Sequence, residues 1–137
     1  MNTYDHNSKR GAGMKFDGST TVADLLKVTD LPIVAIDQSS IFTFVNEAFT
    51  KEYGWTSDDL LGKSVVEIMP DHMRSAHNVG FARFLTTEQS ELLNKSLPLE
   101  VKYKDGKEKV ANHFIVGNKK DGKWQFAAII DYPTENG

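Results

Sequence analysis

Pro70–Leu85 reads PDHMRSAHNVGFARFL. Met73, His77, Phe81 and Phe84 recur there at i, i+4, i+8 and i+11, the spacing of one face of a single helix. Arg74, Ser75, Asn78 and Arg83 fall away from the centre of that stripe. Pro70 suits a first helical turn, where its missing N–H costs nothing, and Asp71 complements the positive end of the helix dipole. An imidazole therefore sits among phenylalanines and points the way they point. It is either a core histidine with a satisfied hydrogen bond or a group presented to a ligand.

What surrounds this helix follows from the rest of the chain. A length of 137 residues is that of one domain able to bury a core. The formal charge of −3 argues against nucleic acid or an anionic membrane as the main partner. Cysteine is absent, which removes disulfides, thiolate nucleophiles, thiolate metal sites and cysteinyl-flavin photochemistry together. No apolar run approaches the ~20 residues of a membrane span, and the N-terminus lacks a signal-peptide core. A cytoplasmic protein is expected.

Residues 1–18 are polar and aperiodic and read as a flexible arm, followed by a short helical segment over 19–29. Within it Val22–Val28 carries Val22, Leu25 and Leu26 on one side, a stripe too short to stand alone that must dock on the domain or on a second copy. From Leu31 the period changes to two. Pro32–Asp37 and Ile41–Asn46 read as strands joined by Gln38-Ser39-Ser40. Asn46 can cap a helix Glu47–Tyr53 that ends at Gly54, and Ser57 can cap another that ends at Gly62. Ser64–Ile68 is a further turn before the long helix. After a polar loop, Leu97–Lys104 and Lys109–Val116 flank the turn Asp105-Gly106, Gly117–Gly122 forms the next turn, and Trp124–Asp131 is a last, apolar strand. The order predicts an α+β domain over 31–134, an antiparallel sheet with helices and a cavity on one face, and a tail at 135–137.

The residues LPIVAID…IFTFVNEAFTKEYGWTSDDLLGKSVVEIMP resemble the N-terminal half of a PAS domain. LPLEVKYKDGKEKVANHFIV…WQFAAIIDYPT resembles its Lys-Asp-Gly hairpin and closing strand. The resemblance covers Leu31–Thr134. It implies the PAS fold, a five-stranded antiparallel sheet in the order 2-1-5-4-3, with the long helix walling a ligand or signalling cavity. It also implies a sensory or dimerisation module rather than an enzyme. The sequence agrees in carrying no phosphate-binding glycine loop and no kinase signature. Asp58 and Asp59, adjacent on a helix and about 100° apart, suit capping better than paired catalysis. Lys102–Lys109 is interrupted by Asp105 and Glu108 and reads as a solvated hairpin.

The resemblance also implies candidates for the signal. Haem-binding members hold iron through a histidine in an Arg-x-x-His segment of the long helix. Arg74-Ser75-Ala76-His77 matches that segment, with His77 as the axial ligand to the iron of haem b and Arg83 as a propionate contact. Gly80 stands where an aromatic is common, and Leu97 where some members carry an oxygen-sensing arginine. Phe81 would line the pocket. In Val110–Ile115, alternation sets Ala111, His113 and Ile115 on one face, and the resemblance implies that this face looks into the cavity. A buried imidazole at His113 must find a partner or cost about 1–3 kcal/mol, so it bonds to a neighbour, to water or to a ligand. The expected function is a sensory module that binds a small molecule or cofactor. It would relay occupancy through a homodimer, formed by the N-terminal helix and a sheet face, or through a downstream signalling domain or protein. The alternatives are a haem-binding gas or redox sensor and a ligand-free interaction module.

Overall fold

Alternating apolar residues in five segments become five strands, and the punctuation between them becomes short helices. The computed structural model describes residues 16–133. Most of the expected arm (1–15) and the tail (135–137) lie outside the described residues. Helix α1 (Val22–Leu26) is followed by β1 (Ile33–Asp37), β2 (Phe42–Val45), α2 (Glu47–Tyr53), α3 (Ser57–Leu60) and a 3₁₀ turn, Val65–Ile68. The long helix α4 (Asp71–Thr87) then leads to β3 (Ser96–Lys102), β4 (Glu108–Lys120) and β5 (Lys123–Ile130). The strands form one sheet in the order β2-β1-β5-β4-β3, every neighbouring pair antiparallel, as the resemblance implies. Among the described residues no helix is long and apolar enough to cross a membrane.

The caps explain where the helices begin and stop. Asn46 accepts from the Phe49 N–H at the start of α2, and Gly54 closes that helix at φ 88°, a left-handed position that glycine occupies without strain. Helix α3 begins one residue earlier than expected. Thr56, not Ser57, is the cap, because Asp59 three residues on completes a reciprocal capping box. Pro70 is the cap residue of α4 rather than its first helical residue. The helix also runs past Leu85 to Thr87, ending on Glu88 in a left-handed conformation (φ 58°).

One turn lies elsewhere than expected. Strand β4 continues through Gly117 to Lys120, and only Asp121-Gly122 turns, with φ of 54° and 80°. Positive φ at both loop residues is the hairpin geometry that matches strand twist. Gly117 is needed inside the strand for another reason. A Cβ there would meet the Phe126 ring at 2.7 Å, so that ring lies on bare backbone.

The sheet separates two cores. Its inner face, with α2, α3 and the 3₁₀ turn, buries Val34, Phe42, Val45, Phe49, Tyr53, Leu60, Val101 and Ile130. Tyr53 packs at a tilt between Phe49 and Tyr103 and donates its hydroxyl to the carbonyls of Ile130 and Asp131 at 3.2 and 2.6 Å. The outer face packs Ile33, Ala35, Val116, Ala127 and Ile129 under Val22, Leu25 and Val28. Helix α1 thus docks on its own sheet and ends at Leu26, two residues short of the expected Val28. Thr21 and Asp24 box its first turn, and the Val22 N–H donates to Asn118 Oδ1 across the sheet. Since Leu25 is fully buried, Leu25→Ala should lower stability by about 2–5 kcal/mol in urea unfolding. A loss under ~1 kcal/mol would mean that α1 does not hold the outer face.

Candidate functional site

Between α4 and the inner sheet face lies the space where chemistry-bearing side chains collect. Residues directly opposite on antiparallel strands share a face. Leu97, His113 and Ile130 therefore form one inner row across β3, β4 and β5, and Gly117, Phe126 and Ile36 form another. From the helix, Phe81 packs edge-on against Phe126 at 5.4 Å between centroids, and Phe84 packs against Trp124 and Phe126. Phe84 is the buried residue of α4; Met73, Arg74, His77 and Phe81 are half-buried. Leu97, Leu99 and Ile115 opposite are also half-buried, so the helix does not seal this part of the sheet.

His113 is the buried polar residue of the inner face, 9% exposed. Its Nδ1 lies 2.9 Å from the Ala111 carbonyl oxygen. A carbonyl only accepts, so Nδ1 carries the proton. Burial pushes the imidazole pKa below its ordinary value, opposed in part by that same bond. The neutral ring therefore keeps a lone pair on Nε2, which has no hydrogen-bond partner among the described residues. Donation from Nδ1 to a backbone carbonyl is also the arrangement that fixes an imidazole for ligation or acceptance through Nε2.

His77 is placed differently. Its ring stacks on Phe81 at 5.5 Å, and its Nε2 shares a 3.3 Å hydrogen bond with Ser40 Oγ in the β1–β2 turn. Burial lowers its pKa too. Among the described residues the two histidines make no ring contact or hydrogen bond with each other. Phe81, Leu97 and Ile115 line the inner space with them. Arg83 does not; it is exposed on the far side of α4.

These positions do not fit a haem. The His77 nitrogen that would face iron is turned to Ser40, its ring lies flat on Phe81, and Arg83 is not on the same side of the helix. Among the described residues no group of three or more histidine, aspartate or glutamate side chains is placed to hold a metal ion.

Arg74 was read from spacing as lying off the stripe, yet the helix brings it round beside Phe81, seven residues and almost two full turns away. Its Nε is sealed from solvent and without a hydrogen-bond partner among the described residues. Its Nη2 lies 3.5 Å from Asp71 Oδ1, which is 3.9 Å from Lys102 Nζ. Next to it, His72 Nε2 and Glu100 Oε1 are 2.7 Å apart. At the other end of α4, Glu88 receives hydrogen bonds from Lys119 Nζ (2.8 Å) and Trp124 Nε1 (3.3 Å), which lower its carboxyl pKa. An open, shallow cleft of about 470 Å³ lies at that end among Gln38, Leu85, Glu88 and Trp124, away from both histidines.

Comparison with known proteins agrees with this architecture. The PAS fold model matches residues 23–112. A PAS domain from a Desulfitobacterium hafniense protein superposes with a TM-score of 0.59 at 23% identity, covering 79% of this chain and 98% of that one. The dark structure of the blue-light photoreceptor Aureochrome1 LOV gives 0.62 at 15% identity, covering 90% of each chain. The PAS domain of the quorum-sensing receptor RpfR of Cronobacter turicensis, in complex with C12:0, gives 0.56 at 15% identity, covering 74% of this chain and 92% of that one. An uncharacterized protein of Azorhizobium caulinodans is 28% identical over 102 residues, 74% of this chain, and the match spans 14% of that protein's length. Sheet order and matching model converge: the chain belongs to the PAS family, a type of sensory signalling module.

Proposed function

We propose that this module senses a small organic molecule held between α4 and the inner sheet face. Occupancy would be relayed through contacts with a second copy or a downstream signalling partner. The observation that carries the reading is His113. A neutral imidazole on an inner wall offers an acceptor to whatever reaches it, and His113 is buried, neutral and of fixed tautomer. It can accept a hydroxyl or amide proton from an occupant while Leu97, Ile115 and Phe81 supply apolar contact. The RpfR neighbour, whose PAS domain is in complex with C12:0, supports the capacity of the fold for such an occupant. Homodimer pairing would use the outer side, where Leu26 of α1 is partly exposed beside its buried neighbours.

Native mass spectrometry of the purified protein tests the reading. A non-covalent small-molecule adduct on the wild type, lost in His113→Leu, is expected. If neither an adduct nor His113-dependent amide shifts with a fragment library appeared, the chain would be a ligand-free interaction module instead. Haem titration should give the same weak, non-saturating Soret curves for wild type and His77→Ala. Stoichiometric uptake abolished in the variant would restore the haem reading.

The two histidines also set a pH dependence. Their folded pKa values lie below the unfolded value of about 6.5, so the unfolded chain binds more protons below that pH. Stability is therefore full above pH ~6.5 and falls as the pH drops through that window, by up to ~1.4 kcal/mol per pH unit from His113. His77, partly in water, adds less. His113→Asn retains a donor for the Ala111 carbonyl but does not titrate. Urea midpoints measured from pH 7.5 to 5 should fall less steeply for that variant; equal slopes would mean that His113 is not held neutral.

A further inference from the structure

We infer that α4 is a lid in two parts. Residues 71–79 form a gate that unwinds as far as Gly80 and opens the inner face along β3, while the last turn of the helix stays docked. The inference goes beyond the ligand-sensing reading and holds for an empty or an occupied inner face.

Three observations support it. The first is the uneven way the helix is held. Buried Phe84 packs at 4.8 and 5.4 Å between centroids against Trp124 and Phe126, whose rings stack on each other. Glu88, just past the last turn, bonds to Lys119 and Trp124. No residue from Asp71 to Val79 is buried. Among the described residues, the side-chain ties of that part to other elements are polar. His72 meets Glu100 and Asp71 meets Lys102 on β3, and His77 shares its 3.3 Å hydrogen bond with Ser40. The His72 and Glu100 side chains are 64% and 37% exposed, so water and salt compete with their contact.

The second observation is that the backbone of α4 stands off from the strands, whereas that of α1 lies close on β5, β1 and β4. A helix held by side-chain tips loses few contacts when one part lets go. The third is Gly80, at the boundary between the two parts. A Cβ there would meet nothing within 4 Å, so close packing does not call for glycine. Glycine inside a helix lowers its local stability relative to alanine, and here it marks where the helix gives.

Helical geometry says which amides each opening frees. The N–H of residue i bonds to the carbonyl of i−4, so release of residues 71–79 frees the amides of residues 75–83 together. Those of residues 84–88 remain bonded, the Glu88 N–H to the Phe84 carbonyl among them; they are freed only when the whole helix leaves. Plain fraying would instead give protection that rises residue by residue from the helix start. The gate lies beside Leu97 and Leu99, half-buried on the inner face of β3 next to Glu100.

Per-residue amide hydrogen exchange of the full chain at pH 7.5, read by NMR, tests the proposal. Residues 75–83 should share one protection factor, at least tenfold below that of residues 84–88. Glu100→Ala, which unties His72, should speed exchange of the first set at least twofold and leave the second unchanged. Glu88→Ala should speed the second set and leave the first unchanged. Gly80→Ala, which meets no steric obstacle, should slow the first set at least threefold. Unchanged circular dichroism and unchanged strand protection identify variants that keep the fold. A smooth gradient of protection along α4, or a single protection factor for all of it, would overturn the gate in the wild type alone. Failure of Gly80→Ala to slow the first set, or a response of the second set to Glu100→Ala, would overturn it as well.

Discussion

The carboxamide of Asn46 ties together three parts of the chain that would otherwise be free to move apart. Its Oδ1 accepts from the N–H groups of Ile33 and Phe49, and its Nδ2 donates to the carbonyls of Val28 and Leu31. The first pair links the start of β1 to the start of α2; the second anchors the link leaving α1. Its own N–H donates to the Ile33 carbonyl. With its hydrogen-bonding capacity used in one half-buried position, Asn46 sets where the outer-face helix ends and where the inner-face helices begin. The two cores on either side of the sheet are registered to each other through this one side chain.

That registration leaves the inner face unevenly filled. Near β1 and β2 the short helices pack tightly, with Tyr53 between two rings and its hydroxyl bonded to the end of β5. Burial drives the Tyr53 hydroxyl pKa well up, so it remains a neutral donor there. Toward β3 and β4 the cover is α4, whose contacts are concentrated in Phe81 and Phe84. Among the described residues, His113 Nε2 and Arg74 Nε lie on the less covered side of the domain without a hydrogen-bond partner. A domain whose sole task was to be stable would be expected to fill these positions with leucine.

Much of this was legible because it is local. The Asn46 cap, the Gly54 stop and the Asp105-Gly106 hairpin each depend on a few adjacent residues, and the sequence places them correctly. The stripe Met73, His77, Phe81, Phe84 follows from the helical period and the shared face of Ala111, His113 and Ile115 from alternation, while the PAS resemblance implied that this face is the inner one. What spacing could not show is which flank of a stripe a neighbouring element seals. Arg74 and Arg83 are both off-centre in the sequence pattern, yet one reaches the covered side and the other stays in water. The displaced turn has the same origin: Gly117 resembles a loop glycine until the Phe126 ring is known to lie across it. The tautomer of His113 depends on a backbone oxygen two residues away, and no periodicity encodes it.

The sparse burial of α4 has a consequence for the order in which the fold comes apart. Of its seventeen residues Phe84 alone is buried, and its best anchored end is the C-terminal one, where Glu88 meets Lys119 and Trp124. The central strands β1 and β5, by contrast, are laddered along their length and carry buried residues on both faces. Local opening free energy follows buried apolar contact, so α4 is a separate cooperative unit at the low end of the hierarchy. Its amides should exchange with solvent through excursions that leave the β-ladder intact. The inner face can thus be wetted and refilled many times within the lifetime of one folded molecule.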